Sequence, residues 1–304
     1  MEKNELWSPA VSMFMWLLAL SASRSAIRPV VQSPSIRRAL ATCSEGGSSA
    51  GRKIISLEGN IGAGKSTLLR GLQRHGVRTI EEPLAQWQGT GQRQNLLDLF
   101  YTDPKRWAFT FQTFAFLSRA QASTAALKAA PEGEATVVLE RSLQSDKRCF
   151  AINCHKTGLF TEAEWAVYSD YHDWLVGESA SLRIDGAVYL RTSPTTCLGR
   201  IRQRARAEES SLPLEYLTQL HARHEEWLLP GGEPAPPGEL VSSRTSPRSQ
   251  SRTSPRSQPG ELVSSDGVPV LVVDWDGDCA EGSAGQMAAV EAICQFSQRL
   301  ADRE

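Results

Sequence analysis

From Lys53 to Thr67 the chain reads Lys-Ile-Ile-Ser-Leu-Glu-Gly-Asn-Ile-Gly-Ala-Gly-Lys-Ser-Thr. A short β-branched run, then Gly-x-x-x-x-Gly-Lys-Ser, then a helix-forming stretch is the order in which a phosphate-binding loop joins a strand to a helix. The residue types explain why. Gly59, Gly62 and Gly64 permit backbone angles and close approaches that a Cβ blocks. The N–H groups of the loop, through Asn60, Ile61 and Ala63 to Thr67, face a triphosphate together with the helix N-terminus. Lys65 reaches the β and γ oxygens, and the Ser66 hydroxyl is placed to ligate Mg²⁺. The motif therefore predicts a nucleoside triphosphate as ligand, but not what is done with it.

A P-loop needs a buried parallel sheet behind it, so the remaining chain must supply one. Strand-like runs fall at 53–58, 77–81, 135–140, 186–191 and 268–274, short and apolar as strands buried on both faces are. Helical patterns follow the loop and span about 93–102, 104–130, 161–178, 194–206, 213–228 and 284–301. The alternation predicts an α/β fold behind the P-loop: about five parallel strands, helices on both faces, and ligands at the carboxyl ends of the strands.

Two stretches do not read as core. Residues 1–50 form a leader with no acidic residue between Glu5 and Glu45, and with Arg24, Arg28, Arg37 and Arg38 among Ser and Ala. That composition suits a mitochondrial transit peptide. Its apolar run from Val11 to Leu20 is too short to span a membrane, and Glu2 and Glu5 spoil a secretory n-region. Without a working leader the protein is expected in the cytoplasm. Residues 230–266 carry nested duplications: Arg-Thr-Ser-Pro-Arg-Ser-Gln at 244–250 and 252–258, and Pro-Gly-Glu-Leu-Val-Ser-Ser at 237–243 and 259–265. With almost nothing apolar to bury, this reads as a disordered surface insertion. A regulated Ser-Pro segment, with Ser246 and Ser254 as phosphoacceptors, is the functional alternative. One folded domain, 51–304, interrupted by that insertion, is the expected organisation.

The balance of 33 Lys+Arg against 34 Asp+Glu excludes a whole-surface nucleic-acid binder. Six cysteines without a C-x-x-C pair suit free thiols in a reducing compartment better than a disulfide or zinc framework.

Four constellations lie beyond the loop: Glu81-Glu82-Pro83 with Trp87, after the second strand; Trp107 to Phe114 on a helix; Glu140-Arg141-Ser142, followed by Ser145-Asp146; and an arginine run from Arg200 to Arg206 ahead of Glu208-Glu209. In this order they resemble the animal-type deoxynucleoside kinases, the family of deoxycytidine kinase, deoxyguanosine kinase and mitochondrial thymidine kinase. The resemblance covers about 53–229 and resumes at 268–278.

It implies ATP-dependent phosphorylation of a deoxyribonucleoside 5′-hydroxyl, in salvage of DNA precursors. Glu82 would be the general base, its pKa raised by Glu81. Glu140 would belong to the Mg²⁺ shell and Arg141 would contact the 5′-oxygen. Gln112 would read the base edge between Trp87, Phe111 and Phe150, with Leu97 also in the nucleoside site, whereas Phe114 reads as ordinary core. Tyr101 and Glu209 would bind the sugar 3′-hydroxyl. Arg200, Arg204 and Arg206 would form the lid over the triphosphate, with Arg202 unassigned. Asp278 would serve the adenine loop, although the usual aromatic after it is missing here.

Arg119 and Asp146, beside Ala115, go with deoxycytidine or purine deoxynucleosides in this family. A thymidine preference is the alternative, favoured by the short stretch from Glu82 to Trp107 and by Tyr189-Leu190-Arg191-Thr192. Expected partners are the two small substrates and a second copy of the chain, with no nucleic acid and no membrane. A nucleoside-monophosphate kinase or a non-catalytic nucleotide-binding protein on the same fold are the rival readings.

Overall fold

Strands built from Val, Ile and Leu need cover on both faces, and that requirement shapes the whole architecture. The computed structural model describes residues 51–89, 94–131, 135–178, 182–230, 262–277 and 280–303. Among them five strands form one parallel sheet in the order β2-β3-β1-β4-β5: β1 Lys53–Glu58, β2 Arg78–Ile80, β3 Thr136–Glu140, β4 Gly186–Arg191 and β5 Val270–Asp274. These are the five expected strands, trimmed by a residue or two at some ends. β1 is central, with Leu57 opposite Glu140 of β3 and Glu58 opposite Tyr189 of β4. Because every pair is parallel, the loops after β1, β2, β3 and β4 emerge at one edge.

The helices are α1 Lys65–Arg74, α2 Leu84–Trp87, α3 Leu96–Thr102, α4 Pro104–Lys128, α5 Leu143–Ser145, α6 Ile152–Lys156, α7 Glu162–Glu178, α8 Pro194–Arg204, α9 Leu214–Leu228 and α10 Ala284–Ala301. A π turn, Asp146–Ala151, joins α5 to α6, and a 3₁₀ turn, Ala207–Glu209, follows α8. Alternation along β3 shows how both faces are covered. Thr136 bonds to Ser297 of α10, whereas Val137 and Leu139 pack with Ala108, Phe111 and Ala115 of α4. α10 lies so close to β4 that a Cβ on Gly186 would stand 2.7 Å from Phe296 and Leu300. α4 starts sharply because Asp103 accepts from the Arg106 N–H and Pro104 occupies its first turn.

The helical run Leu143–Lys156 has no counterpart in the sequence pattern. It is buried on several sides at once, through Leu143, Asp146, Cys149, Ala151 and Cys154, so no single apolar stripe marks it. Its π turn is of the kind that recurs at functional sites. The helix expected from 93 begins at Leu96, where Asn95 caps it by accepting from the Asp98 N–H.

The leader 1–50, Asp278, Cys43 and Cys279 lie outside the described residues, as do 231–261 of the insertion with Ser246 and Ser254. The insertion's expected end at 266 needs correction. Leu262 packs with Trp227, Leu228 and Val270, and Val263 bridges Pro269. Ser264 is buried, the Ser265 N–H donates to the Trp227 carbonyl at 2.8 Å, and Asp266 accepts from Trp227 Nε1 at 2.6 Å. A Val-containing segment beside β5 has apolar surface to bury, and it buries it. The other four cysteines are buried and form no disulfide. No helix among the described residues is long and apolar enough to cross a membrane.

Leu229 and Leu262 pack against the same cluster, so the two ends of 231–261 are anchored together. Replacing 231–261 by a short Gly/Ser linker should leave the melting temperature and activity essentially unchanged, since loop closure depends only weakly on length. Extending the deletion through Ser264 should lower the melting temperature by several degrees, at about 1–3 kcal/mol for the lost burial and hydrogen bonds. A large loss from the shorter deletion, read by calorimetry, would sink this division.

Candidate functional site

At the carboxyl edge of the sheet lies a cavity of about 730 Å³. The phosphate loop forms its floor. Gly64 caps α1 in the left-handed region at φ 99°, where a Cβ would meet the Trp275 indole at 2.8 Å; a Cβ on Gly62 would stand 2.6 Å from the Cys197 carbonyl. The loop is thus wedged against α8 and the segment after β5. Ile61, Gly62, Gly64, Lys65, Ser66 and Thr67 face the cavity. Asn60 instead turns inward, donating to the Leu217 carbonyl at 2.8 Å and accepting from the Ile61 N–H. Gly59 and Ala63 offer carbonyls to the site's cations rather than surface to the cavity. Lys65 is folded onto its own loop, with Nζ 3.0 Å from the Asn60 carbonyl. Burial and then Arg141 pull its ammonium down to about 8, against Glu140 and Glu82.

Two carboxylates stand above the loop. Glu140, ending β3, accepts from the Ser66 hydroxyl at 3.3 Å. Its pKa is raised by burial and then by Glu82. Glu82 accepts on Oε1 from Arg119 Nη2 at 2.8 Å and lies 3.3 Å from Arg141 Nε. Burial raises its pKa, but Arg141, Arg119 and Lys65 outweigh burial and hold the carboxyl at about 2. The expected upward shift from Glu81 is therefore overturned: Glu81 is exposed, and the cations on the other side dominate. Arg141 itself sits at φ 64°, a left-handed conformation unusual for a side-chain-bearing residue. That twist turns the chain out of β3 and lets Ser142 cap α5.

The slot beside these charges is aromatic. Phe111 stacks on Phe100 at 5.0 Å and meets Trp87 edge-on at 5.9 Å. Leu97, Gln112 and Ala115 also face the cavity, and Arg141 lies over the Phe150 ring at 4.8 Å. Phe114 packs into the core, as expected. Phe100 and Tyr216 line the cavity too and were not expected there. Phe100 was legible from its place three residues after Leu97 and next to Tyr101; Tyr216 carried no such signal. Arg119 is buried, with Nε 2.9 Å from Asp146 Oδ2 and Nη1 donating to the Glu140 carbonyl at 2.9 Å. Burial pushes Asp146 up to about 6 even against Arg119.

At the far end, Glu209 is buried and accepts from Arg206 at 2.6 Å and from Arg204. Tyr101 is close enough that burial, and then the Glu209 charge, raise its phenol well above the usual range. Arg200 donates to the Ala63 and Trp275 carbonyls at 2.9 and 2.8 Å and faces the same cavity, whereas Arg202 is exposed. Except for Asp278, which is not described, and Gly59, Asn60 and Ala63 behind the loop, every expected site residue reaches this one cavity. A cationic phosphate cradle, paired carboxylates and a flat apolar slot suit transfer of a phosphoryl group to a small aromatic-bearing alcohol.

Loop, sheet and cavity together define a P-loop kinase. More narrowly, residues 55–295 match the model of the deoxynucleoside kinase family, and the chain belongs to that family. It is 38% identical to a probable deoxycytidine kinase of fowlpox virus over 82% of this chain and 89% of the viral one. It is 42% identical to Homo sapiens deoxycytidine kinase over 60% of this chain and 78% of the human one. With the mitochondrial deoxyguanosine kinase of Xenopus laevis it shares 39% identity over 58% of this chain and 73% of the frog one.

The Lys65 ammonium is lost as pH rises through about 8, and with it a positive charge at the cavity floor. kcat/KM for ATP should therefore fall roughly tenfold between about pH 7 and 9.5, while kcat at saturating ATP changes less, because bound phosphate holds the proton on. A kcat/KM that stays level to pH 9.5 would show that Lys65 keeps its charge throughout.

Proposed function

We propose that this kinase transfers the γ-phosphoryl group of ATP to the 5′-hydroxyl of a deoxyribonucleoside, with deoxycytidine or a purine deoxynucleoside preferred over thymidine. The observation that carries this reading is Glu82: an ionised carboxylate held by two arginines between the phosphate loop and the aromatic slot. In the reaction the 5′-oxygen bonds to γ-phosphorus, the bond from γ-phosphorus to the β–γ bridging oxygen breaks, and ADP departs. The 5′-hydroxyl proton passes to Glu82.

At about 2 the carboxylate is a weak base. A loose transition state asks first for position and charge stabilisation, which the arginine clamp supplies. A triphosphate arriving at Lys65 and Arg141 also cancels part of the positive field that depresses Glu82, so its basicity rises when it is needed. Arg141, with Arg204 and Arg206, would stabilise the transferring group, and Arg200 would hold the donor phosphates. Ser66 Oγ and Glu140 Oε1 are hard oxygens 3.3 Å apart, a fit for Mg²⁺ held mainly by substrate phosphates. Bound there, the ion would neutralise charge on the β- and γ-oxygens. Tyr101 and Glu209 would receive the sugar 3′-hydroxyl, and Gln112 the base edge.

Specificity rests on Arg119 and Asp146. The pair fills space that a 5-methyl group would need and offers both donors and acceptors. Relatives named deoxycytidine and deoxyguanosine kinases support the same preference. Because Arg119 also holds Glu82, specificity and rate share one side chain.

A second copy of the chain fits the exposed stripe of α7, where Val167, Tyr171 and Trp174 stand at i, i+4 and i+7, and Leu117 is exposed on α4. Trp174→Lys should convert a dimer into a monomer by light scattering, and a monomeric wild type would remove this reading. The mitochondrial destination rests on the composition of residues 1–50 alone.

One assay set tests the chemistry: kcat and KM with ATP for four deoxynucleosides and their monophosphates. Glu82→Gln should lower kcat by about 10²–10⁴ with little change in either KM. A loss under about tenfold would point away from Glu82 as base. Arg119→Met with Asp146→Ala should lower overall activity, yet shift kcat/KM toward thymidine by roughly tenfold or more relative to deoxycytidine. Arg119→Met alone should do worse than both changes together, because it strands the buried Asp146 carboxyl, whereas Asp146→Ala alone leaves Arg119 paired with Glu82. Thymidine as the best wild-type substrate would overturn the preference and leave the kinase standing.

A further inference from the structure

Glu58 ends β1, directly before the phosphate loop, and is fully buried. A carboxylate in the central strand of a sheet is costly unless something satisfies it. No cation among the described residues pairs with Glu58. Three donors from a single turn do so instead. The Ser142 N–H at 3.1 Å and the Ser142 hydroxyl at 2.8 Å reach Oε1, and the Ser145 hydroxyl reaches Oε2 at 2.6 Å. An apolar residue would suit this strand better, as at Ile55 and Leu57, so strand stability does not account for it.

The turn that Glu58 grips has a charged residue on either side. Arg141 precedes Ser142, and Asp146 follows Ser145. Arg141 adds two further ties to the same strand end, from its N–H to the Leu57 carbonyl at 3.1 Å and from Nη1 to the Gly59 carbonyl at 3.0 Å. Leu57, Glu58 and Gly59 therefore each hold part of one turn. Arg141 contacts Glu82 directly, and Asp146 does so through Arg119. We infer that Glu58 is a positioning residue for phosphoryl transfer: it locks the Arg141–Asp146 turn to the phosphate loop and so sets Glu82 at a fixed place relative to the γ-phosphate. It touches neither substrate, and the inference rests on Glu82 being the base.

Glu58→Gln keeps the size and one accepting oxygen, but presents an NH₂ to the Ser145 hydroxyl. The expected result is a folded enzyme whose kcat falls roughly ten- to hundredfold, as displacements of about 1 Å do, with KM for ATP within about twofold. The deciding readout is a double-mutant cycle. Added to Glu82→Gln, Glu58→Gln should lower kcat by less than about threefold further, since the residue through which it acts is already disabled. Full multiplicative loss in the double variant would overturn the inference and leave a merely structural role, as would a single variant with wild-type kcat. Should Glu58→Gln fail to fold, Ser145→Ala removes one donor and should give the same split and the same non-additivity at smaller size. If Glu82→Gln alone stays near wild type, it is the underlying assignment of the base that fails.

Discussion

A guanidinium with almost no access to water organises this site. Arg119 leaves the middle of α4 and spends its three nitrogens on three separate elements: Nε on Asp146 of the π turn, Nη1 on the carbonyl that ends β3, and Nη2 on Glu82 after β2. A buried cation tolerates few arrangements, because each N–H left without an acceptor adds a desolvation penalty. The side of the cavity around Arg119 is therefore cross-braced by charge, whereas the side at the phosphate loop is shaped by glycine backbone and carbonyls.

The two halves meet at Glu82 and Arg141. One carboxylate oxygen receives two guanidinium groups, and one of those also holds the phosphate loop through the Gly59 carbonyl. Carboxylates at the same sheet edge respond in opposite ways. Glu82 is pulled down by the cations around it, while burial and Glu82 itself push Glu140 up. Lys65, Arg141 and Arg119 act on both; the difference is that Glu82 accepts directly from Arg119, whereas Glu140 bonds to the Ser66 hydroxyl and meets Glu82 as a like charge.

That difference marks where the sequence stops being readable. Strand positions were plain, because β-branched runs and the glycines of the loop are local signals. The phosphate loop, the aromatic slot and the arrival of Arg200, Arg204 and Arg206 at one cavity followed from motif order. The π turn was not readable: Leu143–Lys156 is surrounded on several sides and lacks a repeating stripe. Nor was the sign of the shift at Glu82, because the arginines that set it come from residues 119 and 141, far along the chain. Adjacent Glu81 looked like the dominant charge in sequence, but it is exposed, and the arginines outweigh it. The segment 262–266 was misread for a similar reason. Its Ser and Pro neighbours suggested an open loop, while its Leu and Val had a place beside Trp227 and Val270.

That last segment also faces a problem of self-similarity. Leu262-Val263-Ser264-Ser265, which packs beside α9, is identical to Leu240-Val241-Ser242-Ser243 earlier in the chain. Within those four residues nothing distinguishes the two copies. The fifth does. After the later copy comes Asp266, whose carboxylate takes the Trp227 indole N–H and pairs with Arg148; after the earlier copy comes Arg244. Docking the wrong copy would set one arginine against another and leave the indole N–H unsatisfied. Asp266 thus distinguishes the two copies, together with the turn from Ser264 to Val268 that ties the later copy directly to β5.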